Sequence, residues 1–333
     1  MSVAGVLERN ASARGVPGSG PSAEGARRPK GSAPDARPAR GRRVRLARLY
    51  PYLLITPTCV FLVSVFLYPV LYSLYLSTRQ MQLFEFATGG RFAGAANYLA
   101  ATRDPLVWNA VTRTGVFVVG AVTIELALGL GVALFLNQRL PGRRVLRAVA
   151  LFPLMLTPVV LGITFRILFN YSYGIVNYAL GLIGVDPVVW LAATPWATFA
   201  VIVTDVWNQT PFVTLLLLAG LQSIPEEYYE AARVDGAGAT RRFLHVTLPL
   251  LAPVVFVAIF WRFVATFRVF DIVFVMTGGG PAESTETLSI LVNKLAFSYG
   301  QLGYSAAVAI GMVLFMTAVA LVYYRASSAV RGE

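Results

Sequence analysis

The sequence predicts an all-α, polytopic membrane protein with six transmembrane helices, both termini on the cytoplasmic side and a disordered basic N-terminal tail. Three observations predict it. Of the 333 residues, 56% are hydrophobic and only 13% are charged, against roughly 25% charged in an ordinary soluble domain. The apolar residues form six runs, each about as long as the roughly 20 residues that cross some 30 Å of hydrocarbon. The basic residues between those runs gather on one side of the membrane.

Residues 1–49 are built from Gly, Ala, Pro, Ser and Arg, with eleven Lys and Arg against three acids. So few apolar residues cannot offset the entropy of ordering the chain, so the segment is read as a disordered cytoplasmic tail. Arg42–Arg43 before an apolar run resembles a twin-arginine signal only faintly. The tail is long, the next run is a full span, and no A-x-A cleavage site closes it. Residues 50–325 carry the spans, near 52–76, 111–136, 146–169, 196–221, 250–276 and 304–324. The fifth is interrupted by Arg262, Arg268 and Asp271. Prolines within the runs, such as Pro158, Pro211 and Pro253, predict kinked helices whose freed backbone groups are satisfied by neighbours. Residues 326–333 are read as a short cytoplasmic tail.

With the N-terminus inside, the cytoplasmic segments hold twenty Lys and Arg and the outer ones four. This asymmetry sets an N-in, C-in topology. It also accounts for the net charge of +12 by topology and anionic membrane lipid rather than nucleic acid, for which no motif is present. Cys59 and His245 are the only residues of their kinds. Clustered His/Cys metal sites are excluded, and a Ser–His–Asp triad would have to use His245, which has no nucleophile motif near it. No metal, cofactor or catalytic residue is expected.

The loop between spans four and five, residues 223–247, is legible as a compact helix–turn–helix. Ser223 is a plausible N-cap, with Pro225, Glu226 and Glu227 in the first turn. A short helix through Tyr228 to Val234 follows, then a bend at Gly236 that a positive φ would serve. A second helix begins near Ala239 and leads into span five at Pro249. Ala231, Ala232, Gly236 and Ala237 would let another protein's surface approach closely, and Glu230 and Asp235 offer charges for registration. A long amphipathic connector is the alternative.

The sequence Glu230-Ala231-Ala232, three residues, Gly236, nine residues, Val246, one residue, Leu248-Pro249 resembles the EAA loop of ABC importer permeases, with Val246 where isoleucine is usual. Asp205–Phe212 before Leu218–Pro225, Phe267–Asp271 before Thr277–Pro281, and Phe92–Tyr98 narrow the resemblance to carbohydrate-type permeases, similar to the larger maltose permease and to trehalose and glycerol-3-phosphate permeases. It covers about residues 50–325. It implies a transport subunit of the cytoplasmic membrane that moves a sugar or polyol. It also implies three kinds of partner: a second homologous permease, two ATP-binding subunits seated on Glu230, Ala231, Ala232, Asp235, Gly236 and Ala237, and an extracytoplasmic sugar-binding protein. No GxxxxGK[ST] phosphate loop occurs, so ATP hydrolysis falls to a partner.

Polar groups inside the spans mark the substrate path by default, since an unpaired charge there costs at least about 2.5–3.5 kcal/mol. They are Glu125, Arg166, Asp205, Asn208, Gln209, Arg262, Arg268 and Asp271. Sugars need carboxylate, amide and guanidinium partners and aromatic faces. Span four supplies Asp205, Trp207, Asn208, Gln209 and Phe212, and span five Thr266, Phe267 and Arg268. By resemblance, Asp205, Gln209, Phe212, Thr266 and Val269 fall where the family lines its sugar site. The alternative is structural pairing: Arg268 with Asp271 within one helix, and Asp205 with Arg166 or Arg262 between helices. A secondary transporter or channel, a lipid-modifying enzyme, and an iron or phosphate permease are the rival readings. The loop spacing, the missing metal motifs, and the Thr277–Pro281 and Phe92–Tyr98 segments respectively weigh against them.

Overall fold

A computed structural model of the chain describes residues 52, 54–85, 89–138 and 141–331, with side chains up to 326. The tail over 1–49 and Arg139 lie outside the described residues. The chain divides into two units, Met1–Val60 and Phe61–Glu333. In the first, the described residues are helical.

Among the described residues five helices are long and apolar enough to cross a membrane: α1 (Leu54–Ser77), α3 (Pro105–Asn137), α7 (Thr194–Ser223), α9 (Ala239–Phe267) and α12, whose apolar stretch is Leu302–Ala326. One further apolar stretch among the described residues is a bent helix pair. It joins α4 (Arg143–Leu151) and a 3-10 turn over Phe152–Met155 to α5 (Pro158–Leu168), and the two parts meet at 95°. The apolar run expected over 146–169, with a kink foreseen at its prolines, is thus bent far more sharply than a kink. Pro158 is the first residue of α5 and Thr157 before it is extended, with ψ 146°, as proline imposes on its predecessor. The fold is therefore mostly helical, with five spans and one bent pair. Small elements complete it: the strands β1 (Arg79–Gln80) and β2 (Arg91–Phe92), paired antiparallel, and the helices α2 (Ala96–Arg103), α6 (Ile175–Leu182), α8 (Glu226–Val234), α10 (Asp271–Met276) and α11 (Leu288–Ser298). The β pair departs from a purely helical expectation.

Span five also differs from its hydropathy profile. Helix α9 begins at Ala239, runs through a π-turn over Phe243–Thr247, and ends at Phe267 rather than 276. Arg268 caps it, Phe270 is off-helix at φ −133°, and α10 starts afresh at Asp271. At the other end of the chain α12 extends through Arg331, past the point where the C-terminal tail was expected to begin.

The core is organised around α7. In its most apolar window 61% of residues are buried, against none in α1, so α7 is central and α1 peripheral. Against α7 lie Ala133 and Leu136 of α3 and Leu251 of α9, packed with Val213, Leu217 and Leu221. Small residues permit this approach, as is usual between membrane helices. A Cβ on Gly129 would come within 2.7 Å of Val213 Cγ1, whereas one on Gly131 would meet nothing within 4 Å. Gly129→Val is therefore expected to push α3 off α7 and destabilise the protein by about 1–3 kcal/mol. Gly131→Val serves as the neutral control, and thermal unfolding in detergent reads both.

Two segments that carried the resemblance prove to be structural stitches. In Phe92–Tyr98, Asn97 Nδ2 donates to Ser77 O (2.9 Å) and Arg79 O (2.8 Å), and Tyr98 Oη lies 2.5 Å from Ser77 Oγ. These bonds fasten the end of α1 to the β pair. In the Thr277–Pro281 segment, Gly278 and Gly279 take φ of +61° and +94°. Thr285 Oγ1 donates to Gly280 O at 2.8 Å and sits 2.7 Å from Thr277 Oγ1. Buried Glu286 pairs with Lys294, which anchors this loop to α11.

Candidate functional site

The polar residues of the spans converge on one buried ion cluster. Arg262 of α9 donates through Nε to Glu125 Oε2 (2.5 Å) and through Nη2 to Glu125 Oε1 (2.7 Å), a two-pronged bond to α3. The same Nη2 reaches Asp205 Oδ2 of α7 at 2.9 Å. All three residues are at most 5% exposed. Two carboxylates and one guanidinium thus tie three spans together. A planar fork that meets a carboxylate through two parallel bonds is the strongest geometry arginine offers. Of the two partners expected for Asp205, the structure selects Arg262. Arg166 instead donates to Val275 O at 3.3 Å, and lines a cavity of about 370 Å³ with Asn170, Tyr171, Trp190 and Thr277. The role of Glu125 as the two-pronged partner was not foreseen. The available signal was its isolation, since it is the only charged residue between Arg113 and Arg139.

The nine residues expected along a substrate path are distributed over different environments. Asp205 is held in the ion cluster. Asn208 is buried and donates from Nδ2 to Pro153 O at 2.7 Å, and its Oδ1 accepts from Gln209 Nε2 at 2.6 Å. This bond satisfies a carbonyl in the 3-10 turn where the third span breaks, the compensation that a broken membrane helix requires. Trp207 is exposed and its ring lies 5.4 Å from that of Phe165. Phe212 stacks on Trp261 at 6.0 Å. Thr266 is buried and its hydroxyl has no hydrogen-bond partner. Phe267 belongs to the apolar core with Ala110, Leu288 and Leu291, and stacks on Phe315. Arg268 is exposed, and Val269 is half-buried, its carbonyl accepting from Thr287 Oγ1. The expected Arg268–Asp271 ion pair is absent among the described residues, because the helix that would have carried both ends at Phe267.

The loop after α7 has the predicted outline. Helix α8 spans Glu226–Val234 and buries none of its residues. Gly236 has φ +75°, its N–H bonds Arg233 O, and the Ala237 N–H bonds Ala232 O. This is a left-handed turn that closes the helix C-terminus. Glu230, Ala231, Asp235 and Gly236 are exposed, while Ala232 and Ala237 are half-buried. Tyr229 Oη, 3.2 Å from Thr247 Oγ1, holds α8 to the π-turn of α9. Ser223 is not the N-cap. It is the last residue of α7 and its hydroxyl donates back to Gly220 O at 2.7 Å; Pro225 precedes the first turn of α8 instead.

Residues 125–332 match the family model described as binding-protein-dependent transport system inner membrane component. The trehalose/maltose transport system permease protein MalF of Thermococcus litoralis is 42% identical over 266 residues, 80% of this chain and 88% of that protein. The sulfoquinovosyl glycerol transport system permease protein SmoG of Agrobacterium fabrum is 37% identical over 278 residues, 84% of this chain and 90% of that protein. A solved chain from a bacterial ABC transporter that imports the acidic polysaccharide alginate superposes with a TM-score of 0.74 over 86% of this chain and 98% of its own, at 20% identity, a likeness of fold. The chain belongs to the binding-protein-dependent transport system inner membrane components: it is a membrane-spanning subunit of an ABC importer, a transport component rather than an enzyme.

Proposed function

We propose that the chain is the permease of a carbohydrate importer, pairing with a second homologous permease and seating two ATP-binding subunits beneath it. In this reading a binding protein delivers the sugar to the outer face. Both termini are cytoplasmic, residues 1–49 form a cytoplasmic tail, and residues 50–325 form the transport body with its coupling loop at 223–247. The observation that carries it is helix α8. A nine-residue helix between two apolar helices, closed by a left-handed glycine, buries none of its residues and is tied to the fold by the Tyr229–Thr247 contact. It offers small residues at its end for close approach and Glu230 and Asp235 for registration. The names of its relatives, trehalose/maltose and sulfoquinovosyl glycerol permeases, support a sugar or sugar-derived solute.

The coupling residues are Glu230, Ala231, Ala232, Asp235, Gly236 and Ala237. The path is formed by side chains of α7, of the end of α9 and of the two residues after it: Asp205, Trp207, Asn208, Gln209, Phe212, Thr266, Phe267, Arg268 and Val269. Closure of the ATP-bound subunits would push on α8 and rock α7 and α9 between inward- and outward-open states. The test is to purify the chain with its co-encoded partners and binding protein and screen sugars for stimulation of ATP hydrolysis. A disaccharide or polyol is expected to stimulate it; no response to any carbohydrate would remove the substrate class. Glu230→Arg is expected to abolish that stimulation while the chain still inserts. Unchanged stimulation would remove the coupling role.

A further inference from the structure

The segment between α5 and α7, which the proposed topology puts on the outer side, builds a cavity that the proposed path does not use. Residues 183–193 carry no helix or strand. Lipid-exposed irregular backbone does not occur in hydrocarbon, so this segment belongs to water or to protein. The cavity measures about 370 Å³, within the roughly 300–1,000 Å³ of small-molecule sites. Its lining is aromatic: Phe169 and Trp190 are buried, with ring centroids 5.4 Å apart, and Tyr171 is exposed. Its free polar groups are donors. Arg166, exposed in the last turn of α5, makes one bond, to Val275 O at 3.3 Å, and joins no ion pair among the described residues. Asn170 uses Oδ1 to accept from Ser172 N (2.9 Å) and Tyr173 N (3.3 Å), which leaves Nδ2 to donate. The Thr277 hydroxyl is already engaged with Val273 O and Thr285 Oγ1. No Asp or Glu lines the cavity, and Asp186 of the same segment lies outside its lining.

We propose that this cavity is a subsite for an acidic sugar, its ring against Phe169, Trp190 and Tyr171 and its anionic group on Arg166 and Asn170. Aromatic rings cover the apolar C–H faces of a sugar. A neutral sugar brings hydroxyls that both donate and accept, and a set of donors satisfies only part of that. A carboxylate or sulfonate only accepts, and the planar guanidinium is the side chain that matches it. The sugar ring rests on the carbohydrate reading given above; the charge rests on the cavity alone.

The test is binding of D-glucuronate to the assembled transporter in phosphatidylcholine nanodiscs, without binding protein or ATP, followed by saturation-transfer NMR titration. D-glucose and acetate are the comparison probes. Glucuronate is expected to bind more tightly than either. Arg166→Gln is expected to weaken it roughly tenfold, the effect of losing a charge-assisted hydrogen bond. Arg166→Lys, which keeps the charge without the fork, is expected to fall between. Arg103→Gln removes an exposed arginine that does not line the cavity and is expected to change nothing. Equal glucuronate affinity in the parent and both Arg166 variants would overturn the subsite. Glucose binding as tightly as glucuronate would overturn the anionic class, and acetate binding as tightly would overturn the sugar ring. The readout involves neither ATP nor transport, so the two failures are distinguishable. Arg166-dependent glucuronate binding, with no carbohydrate stimulating ATP hydrolysis, removes the transport substrate class and keeps the site. A neutral sugar that stimulates hydrolysis, with no such binding, removes the subsite alone.

Discussion

Arg262→Met is expected to destabilise the protein by about 3–5 kcal/mol, the loss seen when one member of a buried ion cluster is removed and its partners stay behind. Glu125 and Asp205 would be left facing each other inside three packed spans without the fork that joins them. Lys at the same position could not restore the two-pronged bond to Glu125, because an ammonium is a point donor. Arg262→Lys is therefore expected to recover only part of the loss. Replacing all three charges at once, with Glu125→Leu, Asp205→Leu and Arg262→Met, removes the buried charge altogether. That variant is expected to unfold near or above the parent, as buried ion triads often do when replaced by apolar residues. Unfolding in detergent, followed by denaturant or heat, reads all of these. An Arg262→Met protein that unfolds within about 1 kcal/mol of the parent would show that the cluster carries no net load. The triple variant also separates structure from transport. If it folds but no longer moves sugar, the cluster serves transport as well as packing.

Gly236→Pro is expected to reduce transport to background while leaving membrane insertion intact. Proline holds φ near −65°, and Gly236 sits at +75° and donates its N–H to Arg233 O. Both features are lost together, so the turn must rebuild and α8 must re-aim. Milder replacements grade the effect. A Cβ at 236 would meet nothing within 4 Å, so Gly236→Ala suffers only the left-handed backbone penalty of about 1–2 kcal/mol. Gly236→Asn, a residue that tolerates this region, is expected to be nearly silent. Sugar uptake and sugar-stimulated ATP hydrolysis, measured in parallel, give the order Gly ≈ Asn > Ala > Pro. Uptake in Gly236→Pro equal to the parent would remove the turn from the coupling path.

Much of this architecture was readable from residues alone, and the misses have local causes. Hydropathy located the five long apolar helices and the bent pair, though not the shorter apolar helix α11, because each side chain contributes its transfer free energy whatever the backbone does. For the same reason it could not see the 95° break at Thr157–Pro158 or the end of α9 at Phe267, where apolar residues continue but helical dihedrals do not. The α8 turn was legible because a glycine at a helix end states its own φ. The ion cluster was only half legible. Asp205 and Arg262 were candidates for each other, but Glu125 lies 137 residues from Arg262, and no local rule connects positions that far apart. Phe267 is legible in type but not in surroundings: its ring suits a sugar face, and the structure packs it beside Ala110, Leu288 and Leu291. Residue type proposes a chemistry; only packing decides which side of a helix it serves.

The spacing of the ion cluster along the chain has a consequence for biosynthesis. Glu125 precedes its guanidinium by 137 residues and Asp205 precedes it by 57. At roughly 5–20 residues per second, α3 is complete on the order of ten seconds before Arg262 leaves the ribosome. Glu125 is alone for the first part of that interval, and Asp205 joins it only for the last 57 residues. Until Arg262 is made, a lone carboxylate in hydrocarbon costs at least about 2.5–3.5 kcal/mol. Arg262 is the last of the three cluster charges to be synthesised.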